Sequence, residues 1–122
     1  MHGRLQFAIL LYTVIGTVLT PSVADAAPLA GRKGIKETLA SKMQITYEVV
    51  LDKDEMSVFV VNGNGRSDLD CYLYDDQKNL VGKDDDNTDT CVVRVMPDKV
   101  ARYTFVVKNV GEKSNSFVGS IF

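Results

Sequence analysis

The chain has 122 residues, 45% hydrophobic and 25% charged, with a net charge of −2, two cysteines, one histidine and no tryptophan. That balance has no basic stripe for nucleic acid, because lysines and arginines are scattered singly. The length allows one modest hydrophobic core rather than two domains.

Residues 1–26 are expected to be a signal peptide. Arg4 supplies a short positive start, Leu5 to Leu19 is mostly apolar, Pro21 breaks the run, and Ala24-Asp25-Ala26 is an A-x-A cleavage pattern. The apolar run is shorter than the roughly 20 residues that span a bilayer, although a retained anchor is the competing reading. No cysteine follows it, so a lipid anchor on cysteine is excluded. Cleavage is expected after Ala26, with Ala24 as the second choice; a chain from Ala27 to Phe122 then has no further long apolar segment and is destined for the periplasm or the exterior.

Residues 27–42 read as a flexible lead-in, with Pro28, Gly31 and Gly34 among basic residues; from Glu37 to Met43 the pattern fits either a helical turn or an approach to the first strand. A single domain is expected over 43–122. From Gln44 the hydrophobic period becomes two: Ile45, Tyr47, Val49 and Leu51 share one face. Met56–Val61 is a second strand, apolar on both faces at its end. Asn62-Gly63-Asn64-Gly65 is a turn, since Asn and Gly tolerate positive φ. Asp68–Asp75 alternates most sharply, with Leu69, Cys71 and Leu73 opposite Asp70, Tyr72 and Tyr74. A short strand over Asn79–Gly82 leads to Lys83–Thr90, which has no apolar residue and must be a loop. Cys91–Met96, Arg102–Val107 and Phe117–Ile121 complete about seven to eight strands, the pattern of an all-β antiparallel sandwich.

Two cysteines in an exported chain read as one disulfide, Cys71 to Cys91, closing a loop of about 20 residues worth about 3 kcal/mol in the chain-entropy model. Both fall on inward faces, so a bridge in the core keeps both strands in register. Two free buried thiols, or an intermolecular bridge, are the alternatives.

Catalytic constellations are scarce. The single histidine, His2, lies in the leader, which removes Ser-His-Asp and Cys-His arrangements and the usual zinc sites from the domain. The chain is therefore read as no enzyme, although carboxylates suited to a glycosidase pair are plentiful. Asp84, Asp86 and Asp89 carry a D-x-D-x-x-D spacing that fits a candidate calcium site, with Asn87 and Thr88 as further oxygens and Asp68 and Asp70 upstream. The EF-hand glycine and terminal glutamate are missing, and a solvated turn-rich loop explains the same residues. Tyr72 and Tyr74, facing away from the core, form a candidate binding face for a protein or a polysaccharide; cover by a neighbouring segment is the alternative.

The run from Asp68 to Asp75 (DLDCYLYD), then Asn79-Leu80-Val81, the Asp84–Asp86 cluster, and Tyr103 to Asn109 (YTFVVKN) together resemble the bacterial pre-peptidase C-terminal domain, with Ser114-Asn115 fitting the same pattern. The resemblance covers Met43 to Phe122. It implies a jelly-roll-like β-sandwich, usually appended to secreted proteases, with calcium- and matrix-binding relatives. Two departures stand out: these 122 residues hold no peptidase portion, and Cys71 replaces an apolar core position. The calcium ligands of collagen-binding relatives lie near the domain's N-terminus, where Ala27–Lys36 has no acid, so that site does not carry over. The expected function is a secreted non-catalytic binding module. The alternative is a periplasmic partner, inhibitor or chaperone-like accessory of an exported enzyme.

Overall fold

The computed structural model of the protein describes residues 11–15, 22–24 and 34–122, with side chains from 34 onward. The strands are β1 (Leu11–Ile15), β2 (Ser22–Ala24), β3 (Gly34–Leu39), β4 (Gln44–Leu51), β5 (Ser57–Asn62), β6 (Leu69–Tyr74), β7 (Leu80–Asp84), β8 (Thr90–Val95), β9 (Ala101–Asn109) and β10 (Asn115–Ile121). They form two antiparallel sheets, β2-β1-β4-β9-β6-β7 and β3-β10-β5-β8, packed face to face. From Gly34 on, eight strands make a jelly-roll-like β-sandwich.

The period-two pattern is realised directly. In β4, Ile45, Tyr47, Val49 and Leu51 are buried and the residues between them are not. In β6, Leu69, Cys71 and Leu73 are wholly buried, opposite the half-buried Asp70, Tyr72 and Tyr74. Burying a side chain such as Leu73 contributes roughly 1.5–3 kcal/mol, and only one register delivers all of these residues to the core. Phe59 of β5 and Phe105 of β9 stack across the layers with centroids 4.7 Å apart. In β5 the ambiguous pattern resolves with Phe59 and Val61 inward.

Cys71 and Cys91 form the disulfide, with Cα atoms 6.1 Å apart and a separation of 20 in sequence. Cys71 lies on β6 of one sheet and Cys91 on β8 of the other. The bridge therefore staples the two layers through the core.

The sandwich begins earlier than its sequence suggests. Gly34–Leu39, inside the expected lead-in, is a strand hydrogen-bonded to β10, from Gly34 opposite Ser120 to Leu39 opposite Asn115. The seventh strand is shifted, running from Leu80 to Asp84 rather than from Asn79 to Gly82. The expected cleavage site lies mostly outside the described residues, as does the lead-in as far as Lys33. Within the expected signal peptide, Leu11–Ile15 pairs antiparallel with β4, from Leu11 opposite Glu48 to Ile15 opposite Gln44, and on its other side with Ser22–Ala24. Among the described residues no helix is long and apolar enough to cross a membrane.

Candidate functional site

Two features meet at the β6 end of the larger sheet: the acidic loop between β7 and β8, and the outer face carrying the tyrosines.

The acidic loop is held by its own carboxylates. Asp84 Oδ2 accepts the backbone N–H of Val92 at 2.9 Å. Asp86 Oδ1 accepts the N–H and the hydroxyl of Thr88 at 3.0 and 2.8 Å, a local turn motif typical of Asp. Those bonds hold the Asp86 carboxyl below the ordinary carboxylate range. Asp89 Oδ2 accepts the N–H of Gly65 at 2.6 Å and Asn115 Nδ2 at 3.0 Å. Asp85 pairs with Lys83 at 3.1 Å. Each of the three candidate calcium ligands thus commits an oxygen to a different structural partner. Among the described residues no group of three or more Asp, Glu, His or Cys side chains is disposed to hold a metal ion.

Asp68 and Asp70 flank this loop. Each keeps one buried oxygen, Oδ1, without a hydrogen-bond partner among the described residues. Burial, and then the Asp86 and Asp89 carboxylates, raise the Asp68 pKa above its ordinary value. Burial likewise raises that of Asp70, with Asp68 adding to it, while the Tyr72 hydroxyl and Lys108 act in the opposite direction.

The loops around this end are joined by two asparagines that the sequence motifs did not single out as structural. Asn109 and Asn115 are buried to 1% and 0% exposure. Asn109 Nδ2 donates to the carbonyls of Leu39 and Lys113, and its Oδ1 accepts from Ser67 Oγ and Gly111 N–H. Asn115 Nδ2 donates to the Ser67 carbonyl and to Asp89, and its Oδ1 accepts the N–H of Asn64. A Cβ at Gly63 would collide with Asp89 Oδ2 and Asn115 Oδ1, which is why glycine stands there. Gly65, two residues on, has a φ of +84°, a region that favours glycine. An Asn beside a turn is the available signal, but most of its partners, among them Leu39, Ser67, Asn64 and Asp89, lie far away in sequence.

Tyr72 and Tyr74 point outward from β6, as the alternation requires. Tyr72 lies opposite Lys83 of β7 and Val106 of β9; Tyr74 lies opposite Leu80 and Thr104. The Tyr72 hydroxyl donates to Asp70 Oδ2 at 3.3 Å, and Lys108 Nζ sits 5.6 Å from its ring centroid. Both rings are half-buried, and Leu80 beside Tyr74 is 49% exposed. The face thus combines aromatic surface with the cations Lys83 and Lys108 and the anions Asp70 and Asp85 at its margin.

No known family profile and no curated protein matches the chain by sequence. Solved structures do. The pre-peptidase C-terminal domain of the collagenase from Bacillus anthracis superposes with a TM-score of 0.57 at 14% identity, covering 75% of this chain and 89% of that one. The periplasmic inhibitor of g-type lysozyme from Aeromonas hydrophila superposes with a TM-score of 0.51 at 16% identity, covering 75% and 86%. Likeness at such identities defines a fold: this is a β-sandwich module. Its fold is of the pre-peptidase C-terminal type.

Proposed function

We propose that the protein is an exported, non-catalytic module that binds a protein partner through the outer face of β6. The observation that carries this reading is the pair Tyr72 and Tyr74, half-buried on an open sheet face beside Asp70 and Lys108. Large rigid aromatics with a polar margin suit a protein surface, where they bury area at little entropic cost. The inter-sheet disulfide supports an oxidising compartment, and one structural neighbour, the lysozyme inhibitor, is described as periplasmic. The only histidine, His2, lies in the expected leader, which supports a non-enzymatic role.

Affinity capture with the mature chain from periplasm and culture medium, set beside a glycan array, tests the reading. A partner retained by the native chain and lost from the Tyr72→Ala/Tyr74→Ala variant supports it. Saturable glycan binding without a protein partner replaces it with the polysaccharide reading.

A second reading is inhibition of an exported enzyme. The likeness to a periplasmic lysozyme inhibitor favours it at the level of fold. Assays against g-type lysozyme and exported proteases separate it from simple docking; unchanged rates at saturating module remove it.

A further inference from the structure

The edges of the two sheets are unequally protected. An unpaired edge strand displays a row of N–H and C=O groups, and proteins blunt such rows with charges, bulges or cover. The edge strand β7 is short, carries Lys83, and meets β6 through a register shift between Leu73 and Tyr74. The edge strand β3 carries Lys36 on its outer side, and Glu37, opposite the buried Phe117, on its inner side. The edge strand β8 has its Val92 N–H capped by Asp84 Oδ2.

Strand β4 carries little such protection of its own. It is eight residues long, regular in register against β9, and free of Pro, Gly, Lys and bulges, with Glu48 as its one charge. Its other side is covered by the leader strand Leu11–Ile15 over five consecutive pairs. Cleavage after Ala26 removes that cover and leaves the β4 edge open in the exported protein. The core itself stays behind, since every buried core residue among the described side chains lies between Leu39 and Phe117.

We propose that the β4 edge is a strand-acceptor site: Leu11–Ile15 closes it in the precursor, and in the exported chain it takes an extended segment of a partner protein by antiparallel strand addition. The occupant's chemistry follows from the strand that already sits there. It is an uncharged, β-branched and aromatic run like LYTVI, bound by backbone hydrogen bonds. The proposal rests on the exported, partner-binding reading and on removal of the leader, and adds a second contact surface distinct from the β6 tyrosines.

The test uses the mature chain and a labelled peptide of residues 9–17 (ILLYTVIGT). Mass spectrometry of the exported protein first fixes the cleavage point. Fluorescence anisotropy is expected to show saturable binding. Methylating alternate backbone nitrogens in one frame should weaken it by at least about tenfold, while the other frame leaves it unchanged, because only one row of N–H groups faces β4. The Tyr72→Ala/Tyr74→Ala variant should bind the peptide as the native chain does. No peptide binding by a correctly processed chain overturns the acceptor site and leaves the β6 reading intact. Equal loss in both frames overturns strand addition in favour of apolar adhesion. A processed chain that dimerises and excludes the peptide assigns the edge to a second copy, which also overturns the proposal. Retention of residues 1–26 on the exported chain overturns the leader reading instead.

Discussion

Asn115 Nδ2 donates to Asp89 Oδ2 at 3.0 Å, joining the end of the acidic loop to the first residue of the last strand. The same carboxylate oxygen accepts the Gly65 N–H, so one side chain fixes three segments. The aspartates of this loop are therefore part of the frame.

Removing the Asn115 amide should be costly. Asn115→Ala leaves the Ser67 carbonyl, the Asn64 N–H and one Asp89 oxygen short of a partner at a wholly buried position. An orphaned buried group costs about 1–3 kcal/mol and these part-buried ones less each, so urea denaturation should show a loss of about 2 kcal/mol in total. A loss under about 0.5 kcal/mol would mean that water replaces the amide.

Cys71→Ala with Cys91→Ala opens a 20-residue loop between the two sheets. The chain-entropy model gives about 3 kcal/mol, and the melting temperature of a domain this small should fall by more than about 10 °C. An unchanged melting temperature would show that the staple adds nothing beyond packing.

Asp68 gives a pH signature. Burial and the Asp86 and Asp89 carboxylates place its folded-state pKa above the unfolded value, so the folded chain holds this proton more tightly. The group's contribution to stability is then smallest at neutral pH, grows as pH falls through the raised value, and is complete below the unfolded pKa. Asp68→Asn should raise the melting temperature near pH 7, modestly because the side chain is only partly buried and solvent screens its charge. The gain should vanish below the ordinary carboxylate range. A gain that persists there would assign the effect to the amide's hydrogen bonding.

Calcium makes a sharp test of the acidic loop. With Asp84, Asp86 and Asp89 each bonded to a separate partner, millimolar calcium is expected to leave the melting temperature unchanged. A rise that Asp86→Asn abolishes would show that the loop rearranges around the ion.

Much of the fold is written in alternation. Leu69, Cys71 and Leu73 announce both their strand and their inward face, and the inward placement of both cysteines makes the inter-sheet bridge readable. Gly34–Leu39 is different: Gly34, Lys36 and Thr38 are exposed, and the strand exists because β10, over seventy residues away in sequence, supplies its hydrogen bonds. The outward tyrosines are equally legible from parity. The spacing of the loop aspartates, by contrast, is silent on where each oxygen points. Local turn donors claim Asp86, while Gly65 and Asn115 claim Asp89 from other parts of the chain. Nor does an isolated Asn109 or Asn115 reveal a buried amide, since burial depends on carbonyls brought close only by the finished sandwich.

Both sulfurs of the bridge lie at residues with 0% exposure. No thiol oxidase can reach them once the layers have closed, and no reductant can reach the finished bond. Oxidation therefore belongs to the newly translocated, still open chain. A molecule that closes first would lock two reduced thiols inside, indistinguishable from outside and weaker by the whole worth of the cross-link.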